Sequence, residues 1–132
     1  MQTAYSEMEH KTDVIFTGRI PDEELYLLTA SAFALTYVSL FEGFGIPIVE
    51  AFRCSVPVIC SNTTSMPEVA GDAAILVDPF DVEDIAKAMT DLTLNEKLRH
   101  SLIEKGNKRK DDFSWQKTAD DLWESMMKCV AN

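Results

Sequence analysis

The chain has 132 residues, 46% of them hydrophobic and 26% charged, the size and make-up of one ordinary globular domain spanning residues 1–132. Its formal net charge of −10 argues against nucleic acid or an anionic membrane face as the main partner. No apolar run reaches the length of about 18 residues that a membrane-spanning helix needs, and Met1 to His10 lacks the apolar core of a signal peptide.

Cys54, Cys60 and Cys129 form no Cys-x-x-Cys pair and leave an odd count. They fit a reduced, cytoplasmic setting in which each is a small buried hydrophobe. The acidic balance also raises a difficulty for any phosphate-bearing ligand: its charge must be met by backbone amides or by cations from outside this chain.

In chain order, residues 1–12 are polar and without periodicity and read as a loose arm. Val14-Ile15-Phe16-Thr17, closed by Gly18, reads as a buried strand. Pro21 and the acids Asp22, Glu23 and Glu24 open a helix at the positive end of its dipole, with Leu25, Leu28 and Ala32 on its apolar side. Phe33 to Val38 is a second strand. A glycine-containing loop then leads to a helix from Pro47 to about Arg53, and Pro57 to Cys60 is a third strand. Met66 to Val69 is a helical turn ending at Gly71, and Ala74 to Val77 a fourth strand stopped by Asp78-Pro79.

The remainder is helical. Asp81 caps a helix whose stripe is Val82, Ile85, Ala86, Met89 and Leu92. A second helix covers about Asn95 to Lys108. Ser114 caps the last, where Trp115, Ala119, Leu122, Trp123, Met126 and Val130 share one face and read as core. Strands alternating with helices at this spacing predict βαβ units, a Rossmann-like parallel sheet flanked by helices.

One loop carries the chemistry. Ser39 to Pro47 leaves the carboxyl end of a strand, where open α/β sheets bind ligands. Gly43 and Gly45 flank Phe44 and let the backbone approach a ligand closely. Pro47 sets a helix start whose free first-turn amides form an anion site without Lys or Arg. Glu42 stands at the loop entrance, able to accept from sugar hydroxyls, and Glu50 lies one turn into the helix. Glu50 is equally placed to stabilise the helix dipole, worth about 0.3–1 kcal/mol.

Glu42-x7-Glu50 around Gly-Phe-Gly-Ile-Pro resembles the signature of the family 4 (group 1) retaining glycosyltransferases. The similarity continues through Ser65-Met66-Pro67-Glu68-Val69-Ala70-Gly71-Asp72-Ala73-Ala74, Leu76-Val77-Asp78-Pro79 and Phe113-Ser114-Trp115. Of these stretches, Pro67 to Ala74 is most similar to mannosyltransferases.

The resemblance implies the C-terminal, donor-binding domain of a GT-B fold. It implies a catalytic, sugar-side role for Glu42, backbone amides of Gly43, Phe44 and Gly45 on sugar hydroxyls, and Ile46 on phosphate. Glu50 would hold the ribose, and the turn Gly18-Arg19-Ile20 the nucleobase, Arg19 and Ile20 being donor-binding. The ligand implied is a nucleotide diphosphate sugar, GDP- or UDP-linked, used without a metal or other cofactor. The sequence has no Asp-x-Asp motif or His cluster, and His10 and His100 read as exposed.

Two departures stand out. Family members have Gly where this chain has Ser55, a change that costs little unless the position needs φ > 0. The acceptor domain, the first βαβ strands and the cations that clamp the pyrophosphate have no counterpart here. The isolated chain is therefore expected to be inactive, and a non-catalytic truncated binding module is the alternative. A phosphorylase would need a lysine for pyridoxal phosphate in a suitable context, and none is evident. Without the intervening strands, Val14–Thr17 is expected either to pair directly with Phe33–Val38 or to leave an edge that a homodimer covers. A full-length enzyme could sit peripherally at the inner membrane face, with no direct membrane contact from this part.

Overall fold

The computed structural model describes residues 2–130, except the side chains of residues 2 and 3. The elements are α1 (Gln2–Glu7), α2 (Asp22–Ala30), β1 (Leu35–Tyr37), α3 (Ile46–Arg53), β2 (Val58–Ser61) and α4 (Met66–Ala70). They continue as β3 (Ala74–Val77), α5 (Val82–Leu94), α6 (Glu96–Arg109) and α7 (Trp115–Val130). The strands form one parallel sheet in the order β1-β2-β3, with Leu35 opposite Val58 and Val58 opposite Ala74.

The sheet is covered on both faces. Val58 and Cys60 join Ile48, Phe52 and Met66 on one side, whereas Ile59 and Val77 join Ala88, Leu92 and Leu102 on the other. Central β2 is therefore buried at every position, as a parallel strand between two helical layers must be. Burial pushes the Cys60 thiol up to about 12, so it is a neutral core group. Cys54 is half-buried and Cys129 exposed, so the expectation of three buried cysteines fails at Cys129, which lies on the uncovered α7.

The helix signals place well. Asp81 accepts from the amides of Glu83 and Asp84. Asn95 caps α6 through Leu98 N–H at 3.0 Å, and Ser114 accepts from Lys117 N–H at 3.1 Å. Ser55 has φ +58°, so the departure at this position does fall where glycine is favoured. Its hydroxyl donates to Asn107 at 3.0 Å.

Other expectations are corrected. The arm is not structureless: it holds α1 and a 3-10 turn at Lys11–Asp13, Met1 lying outside the described residues. Val14–Thr17 belongs to no strand, and β1 stays unpaired on its outer side. Ile15 and Phe16 are exposed, and the Phe16 ring meets Tyr5 edge-on at 5.2 Å. The direct pairing expected of Val14–Thr17 with β1 is absent.

The α7 stripe of Trp115, Ala119, Leu122, Trp123, Met126 and Val130 is exposed rather than core, since α7 buries no residue. The same holds for α2, whose Leu25 and Leu28 are exposed while Ala32 packs on the core. On α5 the buried face runs through Ile85, Ala88 and Leu92, leaving Val82 and Met89 exposed.

Gly106 lets α6 lie directly on α3. A Cβ there would stand 2.7 Å from Cδ1 of the fully buried Phe52 ring. Gly106→Ala is expected to lower stability by about 1–3 kcal/mol through overpacking, despite alanine's better helix propensity. Urea denaturation checks this: an unchanged or raised midpoint would mean the ring can yield.

Candidate functional site

β1 ends at Tyr37, and the chain turns through Val38–Gly45 into α3 over the carboxyl ends of the strands. Gly45 makes the final reversal at φ +103°. A Cβ at this position would lie 3.1 Å from Ile48 Cδ1 and 3.7 Å from Met66 Cγ, so both backbone angle and space demand glycine. Met66 belongs to α4, so the Ser65–Ala74 motif is the floor on which the glycine loop rests. Pro47 falls in the first turn of α3, one residue after the helix begins at Ile46.

A row of hydroxyls following β2 grips this loop. The fully buried Ser61 donates to the Ser39 carbonyl at 2.6 Å. Ser65 reaches the carbonyls of Glu42 at 3.0 Å and Phe44 at 2.9 Å, and Thr64 accepts from the Glu42 amide at 3.3 Å. Thr64 has φ +55°, a left-handed conformation uncommon for a β-branched residue.

The carbonyls of Ser39, Leu40, Glu42 and Phe44 are thus occupied. Among the described residues, the N–H groups of Gly43, Phe44, Gly45 and Ile46 meet no protein acceptor. Four successive free amides at a helix start make a positive concavity without a basic side chain.

Glu42 is half-buried beside them. Tyr37 and Ser39 both donate to its Oε1, at 2.6 and 2.8 Å. These two bonds outweigh desolvation and hold the Glu42 carboxyl below its ordinary range, so it is ionised at neutral pH. Burial, followed by the hydrogen bond to Glu42, pushes the Tyr37 phenol up to about 12, which keeps it a donor.

Glu50 is exposed between two cavities. The larger, about 670 Å³, is lined by Phe44, Ile46, Glu50, Arg53, Phe113 and Trp115, among others. Its volume suits a small organic ligand. Phe113 is held there by an edge-on contact with Phe44 at 5.7 Å, and its carbonyl accepts from Arg53 at 2.9 Å. The smaller cavity, about 230 Å³, lies between Glu50 and Asp22, Leu25, Tyr26 and Thr29 of α2.

Phe44, Ile46 and Glu50 thus share one cleft, and Glu42 and Gly43 stand in the loop that leads to it. Arg19 is exposed and Ile20 half-buried in the connection before α2, and neither lines either cavity. The sequence reading missed Tyr37, Ser61 and Thr64, and gave Ser39 and Ser65 no role of their own. The one signal available was the polar run Ser61-Asn62-Thr63-Thr64-Ser65 directly after an apolar strand, at the sheet's ligand-binding end.

A parallel sheet covered by helices on both faces, with the glycine loop beyond its strand ends, is a Rossmann-like α/β unit. The chain belongs to the group 1 glycosyl transferases, whose family model matches residues 1–109. It is 43% identical over 101 residues to the O-antigen chain mannosyltransferase B of Escherichia coli, covering 76% of this chain and 26% of that protein. It is 36% identical over 109 residues to the serotype-specific mannosyltransferase WbdA of Escherichia coli, covering 83% of this chain and 13% of that one. The chain therefore spans about a quarter or less of these relatives' lengths.

Among solved structures, the sucrose-phosphate synthase of Thermosynechococcus elongatus matches 98% of this chain and 33% of its own, with TM-score 0.84 and 24% identity. That likeness establishes the fold, a GT-B-type α/β unit.

Ser65 is the common support of two loop carbonyls. Ser65→Ala is expected to cost about 1 kcal/mol, the net worth of one ordinary hydrogen bond. Hydrogen exchange should show the bonded amides of Glu42 and Ile48, at the two ends of the loop, opening faster in this variant. Wild-type exchange there would show that the hydroxyl does not hold the loop.

Proposed function

We propose that this chain is the donor-binding half of a retaining hexosyltransferase acting on a nucleotide diphosphate sugar. The observation that carries the reading is the run of free amides from Gly43 to Ile46 beside the ionised, doubly hydrogen-bonded Glu42. Such amides receive the diphosphate and the sugar hydroxyls, and they stabilise the charge that grows on the diphosphate as the glycosidic bond breaks. Glu42 accepts from a sugar hydroxyl through its other oxygen. Glu50, at the junction of the two cavities, accepts from the ribose hydroxyls. Arg19 and Ile20 precede the α2 side of the smaller cavity, which is the side assigned here to the nucleobase.

The names of the relatives favour mannose as the sugar, and polysaccharide assembly as the setting. GDP-mannose is the first donor to try, with the UDP-linked sugars as competitors. The site needs no metal in this reading, because the amides supply the positive potential. Among the described residues no helix is long and apolar enough to cross a membrane, in keeping with catalysis in the cytoplasm. The bare β1 edge favours a covering partner, and self-association through it would appear as dimer in sedimentation velocity.

Titration calorimetry of the chain with GDP, UDP and their sugars tests the assignment. One nucleotide sugar should bind, and Glu50→Ala should weaken it by about tenfold or more, as loss of a charged hydrogen-bond acceptor requires. The chain alone should not turn the donor over, since it spans only about a quarter or less of its relatives' lengths. No binding by any of these ligands would overturn the donor-site reading. Detectable turnover would overturn the expected inactivity.

A further inference from the structure

The Glu42 carboxylate is held more firmly than a loop glutamate needs to be for stability. Its backbone amide is bound to Thr64 and its carbonyl to Ser65, at 3.3 and 3.0 Å. Its side chain then receives two hydroxyls on a single oxygen, Tyr37 at 2.6 Å and Ser39 at 2.8 Å. The donors differ in kind. Ser39 belongs to the same loop and can move with it, whereas Tyr37 is the last residue of β1, paired in register with buried Cys60. The Tyr37 ring packs against the cluster formed by Ile48, Phe52 and Met66, so its hydroxyl is a fixed point of the core. No charged group contributes to the depressed Glu42 titration; hydroxyls alone produce it.

We propose that Tyr37 is a positioning residue for glycosyl transfer, anchoring Oε1 of Glu42 to the sheet so that Oε2 faces the donor sugar. The proposal rests on the reading of Glu42 as the sugar-side residue. Its physical basis is the strength of a short O–H···O⁻ bond from a donor that has no freedom left to lose. A free glutamate would have to give up its rotamer freedom during the reaction, whereas this one has done so on folding. Tyr37 itself does not touch the sugar, and so its loss acts on the rate more than on donor affinity.

The test uses the protein that contains this sequence, assayed for transfer from GDP-mannose. Tyr37→Phe should lower kcat by about tenfold while donor KM changes by less than about threefold. The acid limb of the pH–kcat/KM profile should move upward, because the group that held the Glu42 proton affinity down is gone. The carbon-13 titration of the Glu42 carboxyl should move the same way. Tyr37→4-aminophenylalanine, which restores a donor on the same ring, should recover most of both.

A folded Tyr37→Phe protein with wild-type kcat and Glu42 titration would overturn the proposal. If that variant does not fold, Tyr37→3-fluorotyrosine decides. It keeps ring and hydroxyl but donates more strongly, so the Glu42 titration must fall, and no movement overturns the proposal. Failure of the underlying reading looks different: Glu42→Gln would then leave transfer intact.

Discussion

Gly45 reverses the chain with φ +103° in a space already filled by Ile48 and Met66, and the site depends on that turn. A side chain there would strain the backbone and crowd Ile48 of α3, with Met66 of α4 in ordinary contact. Because the reversal is forced, the residues before it are laid over the strand ends and the residues after it start a helix. The amides of Gly43 to Ile46 meet no acceptor among the described residues. The motif after β2 then has an evident purpose. Met66 supports the turn from below, and the Ser61–Ser65 hydroxyls take up the loop carbonyls that would otherwise compete for the same amides.

Much of this fold can be read from local patterns, and the failures share one cause. β2, β3 and the caps at Asp81 and Ser114 were legible because their determinants lie within a few residues. Val14–Thr17 has the composition of a strand, but a strand also needs a neighbour, and the sheet ends at β1. On α7, periodicity finds the apolar face yet cannot say what covers it, and here nothing among the described residues does. α5 shows a milder version, with the buried line rotated from Val82 and Met89 to Ala88. Periodicity measures amphipathicity, whereas burial depends on a second surface.

At the site, the glycine loop and its two glutamates were legible because close backbone approach and helix-start chemistry leave marks at fixed spacing. The hydroxyl row was not, since Ser61 to Ser39 and Ser65 to Glu42 are pairs separated by 22 and 23 residues. A serine after a strand has many possible partners, and only the sheet register selects one. Tyr37 was hidden differently. An aromatic residue at the end of a strand reads as core, and its ring is core; the hydroxyl beyond the ring carries the role.

Tyr37 and Ser39 also bear on how so acidic a chain could receive an anion. At a net charge of −10 the long-range field opposes a phosphate-bearing ligand, and Glu42 adds a negative charge at the mouth of its site. Local geometry can reverse this, because the interaction falls with distance and exposed distant charges are screened within about 8–10 Å. Two hydroxyls donating to Oε1 meet part of the Glu42 charge. The loop amides would act on a diphosphate at short range, where that distant field matters least. A lysine could supply the same attraction, but beside Glu42 it would pair with the carboxylate and spend its charge there. Fixed amides cannot collapse onto the glutamate, so the carboxylate and the anion site coexist a few residues apart.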